Sequence, residues 1–302
     1  MRAGLGPYLL LATSAFLWGG NFVVARALSA DIPPIAMNFW RFFGALIVLA
    51  PFTHGTILRH RRALLANWRL LLALGVTGVT TFHSFVYISL HSTTAINAAL
   101  FMAFTPLAIP LLVFVLYRGT PTGSQVAGIC ASFVGVLVLI SRGDLAALAA
   151  VRFNPGDLWM VAAFPCWALY IVLVNRRPPD LPPMALLIGM MAMGVALLVP
   201  LYLWEYARVG GIAVTRQNLL GLGFLAIFAS AVAYFFWNRG VGEIGPTRAG
   251  PFMYLVPVFA TLLALIFLGE QIHLYQAVGA VLIVFGIIVT ADWRRRMART
   301  VD

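Results

Sequence analysis

Long stretches free of charged residues alternate with short polar breaks along the whole chain. The charge-free windows run over 3–25, 42–58, 70–117, 119–141, 158–175, 181–204, 217–238, 249–269 and 271–291. A helix needs about 20 largely apolar residues to cross a bilayer core, so most windows hold one span each. The 70–117 window is too long for one span and breaks at the polar run Ser89-Leu90-His91-Ser92-Thr93-Thr94, while the 42–58 window extends back to Pro34. The pattern predicts an all-α membrane protein of ten transmembrane helices, over 7–27, 34–53, 69–89, 94–116, 122–141, 157–175, 183–204, 217–239, 248–268 and 272–292. The apolar segment Pro7–Ala25 is longer than the ~7–15 residues of a signal-peptide core and has a counterpart later in the chain. It reads as the first membrane helix.

That counterpart belongs to an internal repeat. A shift of 149 superposes Trp18 on Trp167, Pro33-Pro34 on Pro182-Pro183, Ala36 on Ala185 and Pro51 on Pro200. After a two-residue insertion the shift is 151, which places Phe101-Met102 on Phe252-Met253, Pro106 on Pro257, Gln125 on Gln276, Gly128 on Gly279 and Gly135 on Gly286. Residues 1–150 and 151–302 are each expected to hold five helices. Five is odd, so the second half enters the membrane from the opposite face. An inverted 5+5 repeat around a central cavity is a recurrent transporter plan, in which the shared site opens alternately to either side.

Composition agrees with this picture. Hydrophobic residues make up 62% of the 302 residues and charged residues only 10%, against about 25% charged in soluble domains. The net charge of +11 does not imply nucleic acid, because the basic residues, all arginine, fall between apolar stretches instead of forming a patch. Their distribution predicts orientation through the positive-inside rule. With the N-terminus inside, the inner segments carry Arg2, Arg59, Arg61, Arg62, Arg69, Arg118, Arg176, Arg177, Arg239, Arg248, Arg294, Arg295, Arg296 and Arg299. Arg26, Arg41, Arg142, Arg152, Arg208 and Arg216 fall on the outer side. Both termini are expected in the cytoplasm. Cys130 and Cys166 lie in apolar stretches and have no metal-ligand or disulfide spacing.

Polar and aromatic residues at mid-membrane are the candidate chemistry. Trp18 and Asn21 share one face of the first helix, and Trp167 and Tyr170 repeat that spacing. His83 and Tyr87 lie one turn apart on the third helix, where the repeat sets Tyr234 and Asn238. Asn97 and Phe101 follow on the fourth helix, opposite Arg248 and Phe252 on the ninth. Polar groups at this depth face the bundle interior or water, and aromatic faces suit an apolar or aromatic ligand. Each pattern is also compatible with helix–helix packing. Pro106 and Pro257, well inside their helices, are expected to act as hinges or bends by removing a backbone hydrogen bond. Glycines at 123, 128, 135, 279 and 286 permit close helix approach. No paired carboxylates, His-x-x-x-His motif or nucleotide loop supports an enzyme, a metal or a cofactor. Gly240-Val241-Gly242-Glu243-Ile244-Gly245 has only the outline of G-x-G-x-x-G and is assigned to a helix–helix loop.

Several of these residues carry a family resemblance. Ala15-Phe16-Leu17-Trp18-Gly19-Gly20-Asn21-Phe22, Arg41-Phe42, Pro106, Pro257 and Leu268-Gly269-Glu270 look like the EamA-type drug/metabolite transporters over 7–292. Within that group the chain is most similar to the YddG-type aromatic amino-acid exporters. One departure is that Arg118-Gly119-Thr120 stands where a first-half counterpart of Gly269-Glu270 would fall. The resemblance implies ten helices in a 5+5 inverted repeat and export of metabolites across the bacterial inner membrane. Together with the repeat, it leads us to expect an exporter of small amphipathic molecules, foremost neutral or aromatic amino acids. The substrate-site residues would be Trp18, Asn21, His83, Tyr87, Asn97, Phe101, Trp167, Tyr170, Tyr234 and Asn238. Drug or nucleoside efflux is the alternative within transport; a membrane-embedded enzyme or scaffold is the alternative outside it. All nine acids fall at predicted helix ends, in loops or in the tail, so transport is expected to be facilitative, without a carboxylate to carry a coupling ion.

Overall fold

A computed structural model of the protein describes residues 5–92, 101–144, 146, 155–268 and 273–297. Among the described residues all regular structure is helical. The helices are α1 (Gly6–Leu28), α2 (Pro34–Ala66), α3 (Trp68–Leu90), α4 (Thr105–Tyr117), α5 (Gly123–Ile140), α6 (Pro155–Val174), α7 (Pro183–Val209), α8 (Arg216–Ile244), α9 (Leu255–Leu268) and α10 (Leu274–Met297). Seven of them (α1, α2, α3, α5, α6, α7 and α8) are long and apolar enough to cross a membrane. Phe101–Tyr117 and Leu274–Thr290 are shorter apolar helices.

The observed boundaries differ from the apolar windows in instructive ways. α2 continues past the expected residue 53 to Ala66, through Arg59, Arg61 and Arg62, with non-helical angles only at His60. Charge ends a lipid-compatible run, but it does not interrupt the backbone hydrogen-bond ladder. For the same reason α7 runs on to Val209 and stops at Gly210, whose φ of 85° favours glycine. Gly240–Ile244 is the last turn of α8, closed by Gly245 at φ 83°, and not the loop expected from sequence. Pro106 and Pro257 do not lie in the interior of continuous helices. A turn at Phe104 interrupts the chain, and Pro106 lies in the first turn of the restarted helix α4. On the other side a 3₁₀ stretch, Gly250–Tyr254, precedes Pro257 in the first turn of α9. Proline is well suited there, because the first amides of a helix have no intrahelical acceptor.

Both α3 and α8 widen into a π-helix midway, over Val76–Thr81 and Leu225–Val232. The two stretches start 149 residues apart and end 151 apart. The two-residue insertion between the repeats is therefore absorbed in a π stretch, the form a helix takes when extra residues are accommodated without breaking it.

α1 packs on α8 and α9, α2 on α7, the end of α3 on α6, and α5 on α10. The α5–α10 contact rests on glycines. A Cβ at Gly128 would meet the Gly286 carbonyl and Thr290, and one at Gly135 would meet the Gly279 carbonyl and Ile283. Gly128 is the repeat counterpart of Gly279 and Gly135 that of Gly286, so these antiparallel helices touch reciprocally. Elsewhere, residues one repeat apart touch each other directly. Trp18 and Trp167 have ring centroids 5.3 Å apart. His83 Nε2 lies 2.7 Å from Tyr234 Oη. Tyr254 donates to the Ala103 carbonyl at 2.9 Å, and Ser132 to the Ile283 carbonyl at 3.1 Å. A residue meets its own counterpart only where the two copies face each other.

Candidate functional site

The two π stretches frame the centre of the molecule and offer their carbonyls to side chains. In α3, the Gly78 carbonyl accepts from Tyr234 Oη at 2.5 Å, and the Val79 and Thr80 carbonyls accept from Asn38 Nδ2 at 3.1 and 3.3 Å. In α8, the Ala229 carbonyl accepts from Trp18 Nε1 at 3.0 Å and from Arg41 Nη2 at 3.3 Å. A π turn offsets the backbone ladder, and its carbonyls are more available to side-chain donors than those of a regular α-helix.

Arg41 is the hub of this region. Sequence reading placed it among the outer arginines; it is instead fully buried, at 0% exposure, two turns into α2. Nε donates to Ser230 Oγ at 2.8 Å. Nη1 lies 3.1 Å from Asn21 Oδ1, 2.5 Å from Tyr87 Oη and 3.2 Å from His83 Nδ1. The Phe42 ring supports the guanidinium at 4.8 Å. The hydrogen-bond order assigns the imidazole tautomer. Tyr234 Oη donates to Gly78, so its oxygen accepts from His83 Nε2–H, which leaves the Nδ1 lone pair facing Arg41. Among the described residues no carboxylate lies within ion-pair distance of the guanidinium.

The aromatic residues form a contiguous nest beside this hub. Trp18 packs edge-on against Trp167 and Tyr234 and tilts against Trp237 at 5.1 Å. Trp167 stacks on Tyr170 at 4.7 Å and on Phe82 at 4.6 Å. The Tyr170 ring lies where a side chain at Gly78 would stand, and its hydroxyl donates to Asn238 Oδ1. Asn238 Nδ2 in turn faces Met190 Sδ at 3.9 Å.

The structure thus brings together eight of the ten residues chosen from sequence: Trp18, Asn21, His83, Tyr87, Trp167, Tyr170, Tyr234 and Asn238. They are buried against one another, and their rings fill the space assigned to a central cavity. Phe101 is half-buried at the edge of the core. Asn97 lies outside the described residues. Cavities open instead at one end of the bundle. One of about 400 Å³ is bounded by Arg177, Pro182, Met184, Phe235, Arg239 and Glu243, within a turn of Asn238. Another, of about 200 Å³, lies among Thr122, Gln125, Thr247 and Arg248.

Sequence reading missed Arg41, Ser230 and Trp237 as site residues, and the π stretches altogether. For Arg41 a signal was present, because an arginine inside an apolar span marks function by default. The change of repeat offset from 149 to 151 likewise marked the place of the π insertion. Nothing comparable singled out Ser230.

Another buried charge has a structural role. Pro33 opens α2 with no side-chain cap of its own. Glu205, from the last turns of α7, accepts from the Ile35 and Ala36 amides at 3.0 and 2.6 Å. A carboxylate at a helix N-terminus satisfies free amides and opposes the positive end of the dipole.

Comparison with known proteins agrees with this fold. The chain is 28% identical over 290 residues to the uncharacterized transporter YyaM of Bacillus subtilis (strain 168), covering 95% of this chain and 94% of that protein. It is 26% identical over 287 residues to an uncharacterized transporter of Archaeoglobus fulgidus, covering 94% and 96%. It is also 28% identical to a probable amino-acid metabolite efflux pump of Salmonella typhimurium, covering 90% of each. A solved crystal structure shares the fold with a TM-score of 0.77 at 22% identity, over 98% of this chain and 99% of that one. The model of the EamA-like transporter family matches twice, over 5–141 and 154–291. Both halves of the chain therefore match one and the same family unit, and the protein belongs to the EamA-like transporter family.

Proposed function

We propose that the protein exports small amphipathic metabolites, foremost neutral and aromatic amino acids, across the bacterial inner membrane by alternating access, as a YddG-type member of its family. Residues 1–150 and 151–302 would each contribute five spans of opposite orientation, for ten in all, with both termini in the cytoplasm. The observation that carries this reading is the contact between repeat counterparts, Trp18 with Trp167 and His83 with Tyr234, at one buried aromatic and polar cluster. A pair of inverted halves meeting there exchanges access by rocking about the cluster. The filled centre, with cavities at the end bearing Arg177, Arg239 and Arg248, fits a substrate-free state closed at mid-membrane. The likeness to a probable amino-acid metabolite efflux pump favours amino acids over other small molecules. Pro106 and Pro257, which restart helices after irregular turns, serve as hinges between the rocking segments.

The reading predicts facilitative exchange. Purified protein in liposomes should catalyse counterflow of labelled tryptophan or phenylalanine and should not concentrate it under an imposed proton or sodium gradient. Absence of counterflow for every neutral amino acid overturns the substrate assignment; uphill accumulation overturns the facilitative mechanism. Orientation is tested with single cysteines replacing Arg61 and Thr215, in a background lacking Cys130 and Cys166. An impermeant reagent applied to intact cells should label position 215 and leave 61 unreacted.

A further inference from the structure

Arg41 carries a full positive charge in the middle of the protein, yet every partner it touches among the described residues is neutral. Serine, asparagine and tyrosine oxygens, one carbonyl and one imidazole nitrogen surround it. A guanidinium does not deprotonate in proteins, so burial cannot be relieved by loss of the charge. Removing an ion from water is costly unless an opposite charge compensates. Ionisable side chains inside membrane spans are rare and mark substrate or ion pathways by default.

The donor count is also unbalanced. Nη1 has two N–H groups for three acceptor atoms, whereas Nη2 has two N–H groups and a single acceptor at 3.3 Å. In the adjoining nest, the buried Trp237 Nε1–H has no hydrogen-bond partner among the described residues. Trp237 packs on Trp18, whose own indole N–H shares the Ala229 carbonyl with Arg41. The cluster is therefore cationic, with spare donors at Arg41 Nη2 and at the Trp237 indole. A carboxylate offers about four lone-pair positions and can engage the planar guanidinium fork with two parallel hydrogen bonds.

We propose that Arg41 is the carboxylate anchor of the transport site: the anionic group of the substrate replaces neutral acceptors on the guanidinium when the halves open. This inference rests on the reading of the cluster as the substrate site and specifies which chemistry that site requires. The repeat counterpart of Arg41 is Met190, so one end of the substrate is held by charge and the other meets a thioether, Tyr170 and Asn238. Amines lacking an acid group are excluded, because they would set a second cation beside the first.

The test is ligand-induced thermal shift on the full-length protein in detergent, with tryptophan, tryptophan amide, tryptamine and indole-3-propionate. In the wild type the two free acids should raise the melting temperature, and the amide and amine should not. Arg41→Gln should weaken the response to the acids at least tenfold in ligand concentration, and Arg41→Lys should retain part of it. Equal responses to tryptophan, its amide and tryptamine would overturn the proposal, as would wild-type affinity in Arg41→Gln. If Arg41→Gln does not fold, Arg41→Lys and Arg41→Met, with the same four probes, decide through the acid-against-amine ratio. That ratio should stay above one in Arg41→Lys and fall to one in Arg41→Met; a wild-type ratio in Arg41→Met overturns the anchor. A second panel of non-aromatic monocarboxylates separates the two readings. If these stabilise the wild type and not Arg41→Gln while the indole acids fail, the anchor stands and the aromatic substrate assignment falls. If no carboxylate of either panel stabilises the wild type, the anchor falls.

Discussion

The two halves meet at the centre with similar backbones and unlike chemistry. On the first side, Arg41 is surrounded by Asn21 and Tyr87; on the second, the corresponding positions hold Met190, Tyr170 and Asn238. The helices match, down to paired π stretches and paired proline starts at Pro33 and Pro182, whose ψ angles are 150° and 152°. Duplication thus preserved the frame, and divergence placed the charge on one side only. In the proposed alternating-access cycle, a symmetric frame would let the two access states resemble each other in energy. An asymmetric site lets a ligand with one charged and one apolar end lie in a single orientation.

The sharpest way to break the comparison is to make the second pole like the first. Met190→Arg would bury another unpaired cation and should destabilise the protein by about 3–5 kcal/mol, read by reversible SDS titration. Unchanged stability would mean that this pole reaches water. Trp18→Ala and Trp167→Ala should each cost about 3–5 kcal/mol through the cavity they leave. The Trp18 variant should lose more, since its indole N–H binds the Ala229 carbonyl, whereas that of Trp167 meets the Met253 thioether, a weaker acceptor. Equal losses would remove that distinction between the halves.

The converse substitution is milder. Arg41→Met makes the first pole like the second; it removes a buried charge but leaves the acceptors on Ser230, Asn21, His83, Tyr87 and Ala229 without their donor, so it should lower stability by about 1–3 kcal/mol. Transport should be lost in the same protein. A destabilised Arg41→Met with normal transport would assign Arg41 to packing. Tyr234→Phe, at the contact between counterparts, removes the acceptor of His83 and the donor to Gly78. It should cost about 1–3 kcal/mol for the buried groups left unsatisfied.

The smallest effect concerns the paired starts of α2 and α7, of which α2 has the Glu205 carboxylate on its first amides and α7 has no side-chain cap. Glu205→Gln should cost about 0.3–1 kcal/mol, rising toward ~2 kcal/mol for a partly buried group. A cost of zero would equate the entry of α2 with that of α7.

Much of the candidate site was legible before any coordinates. Trp18 and Trp167 stood out because indoles at mid-membrane are unusual and occurred one repeat apart, and His83 and Tyr234 because polar groups at depth face inward. Arg41 was assigned to the wrong environment for a definite reason. The positive-inside count treats arginines near predicted span ends as loop residues, and α2 begins two turns before Arg41. Without Arg41 the bias becomes fourteen inner arginines against five outer, so orientation does not depend on it. Ser230 and the Ala229 carbonyl could not be chosen, since their importance comes from a π stretch that exposes them and from an arginine on another helix.

By itself the sequence determined the class of the protein, the duplicated frame and most of the residues at its centre. These follow from local chemistry: apolar length, periodicity and a repeated spacing of aromatics act along the chain and need no partner. Tertiary structure alone decided that the centre is filled, that the halves touch through their counterparts, and that one arginine is buried there among neutral acceptors. Those properties depend on distances between separate helices, as between His83 and Tyr234, 151 residues apart, or Arg41 and Ser230, 189 apart. The energy of a buried charge is set by what surrounds it in space, and no neighbour along the chain reports that.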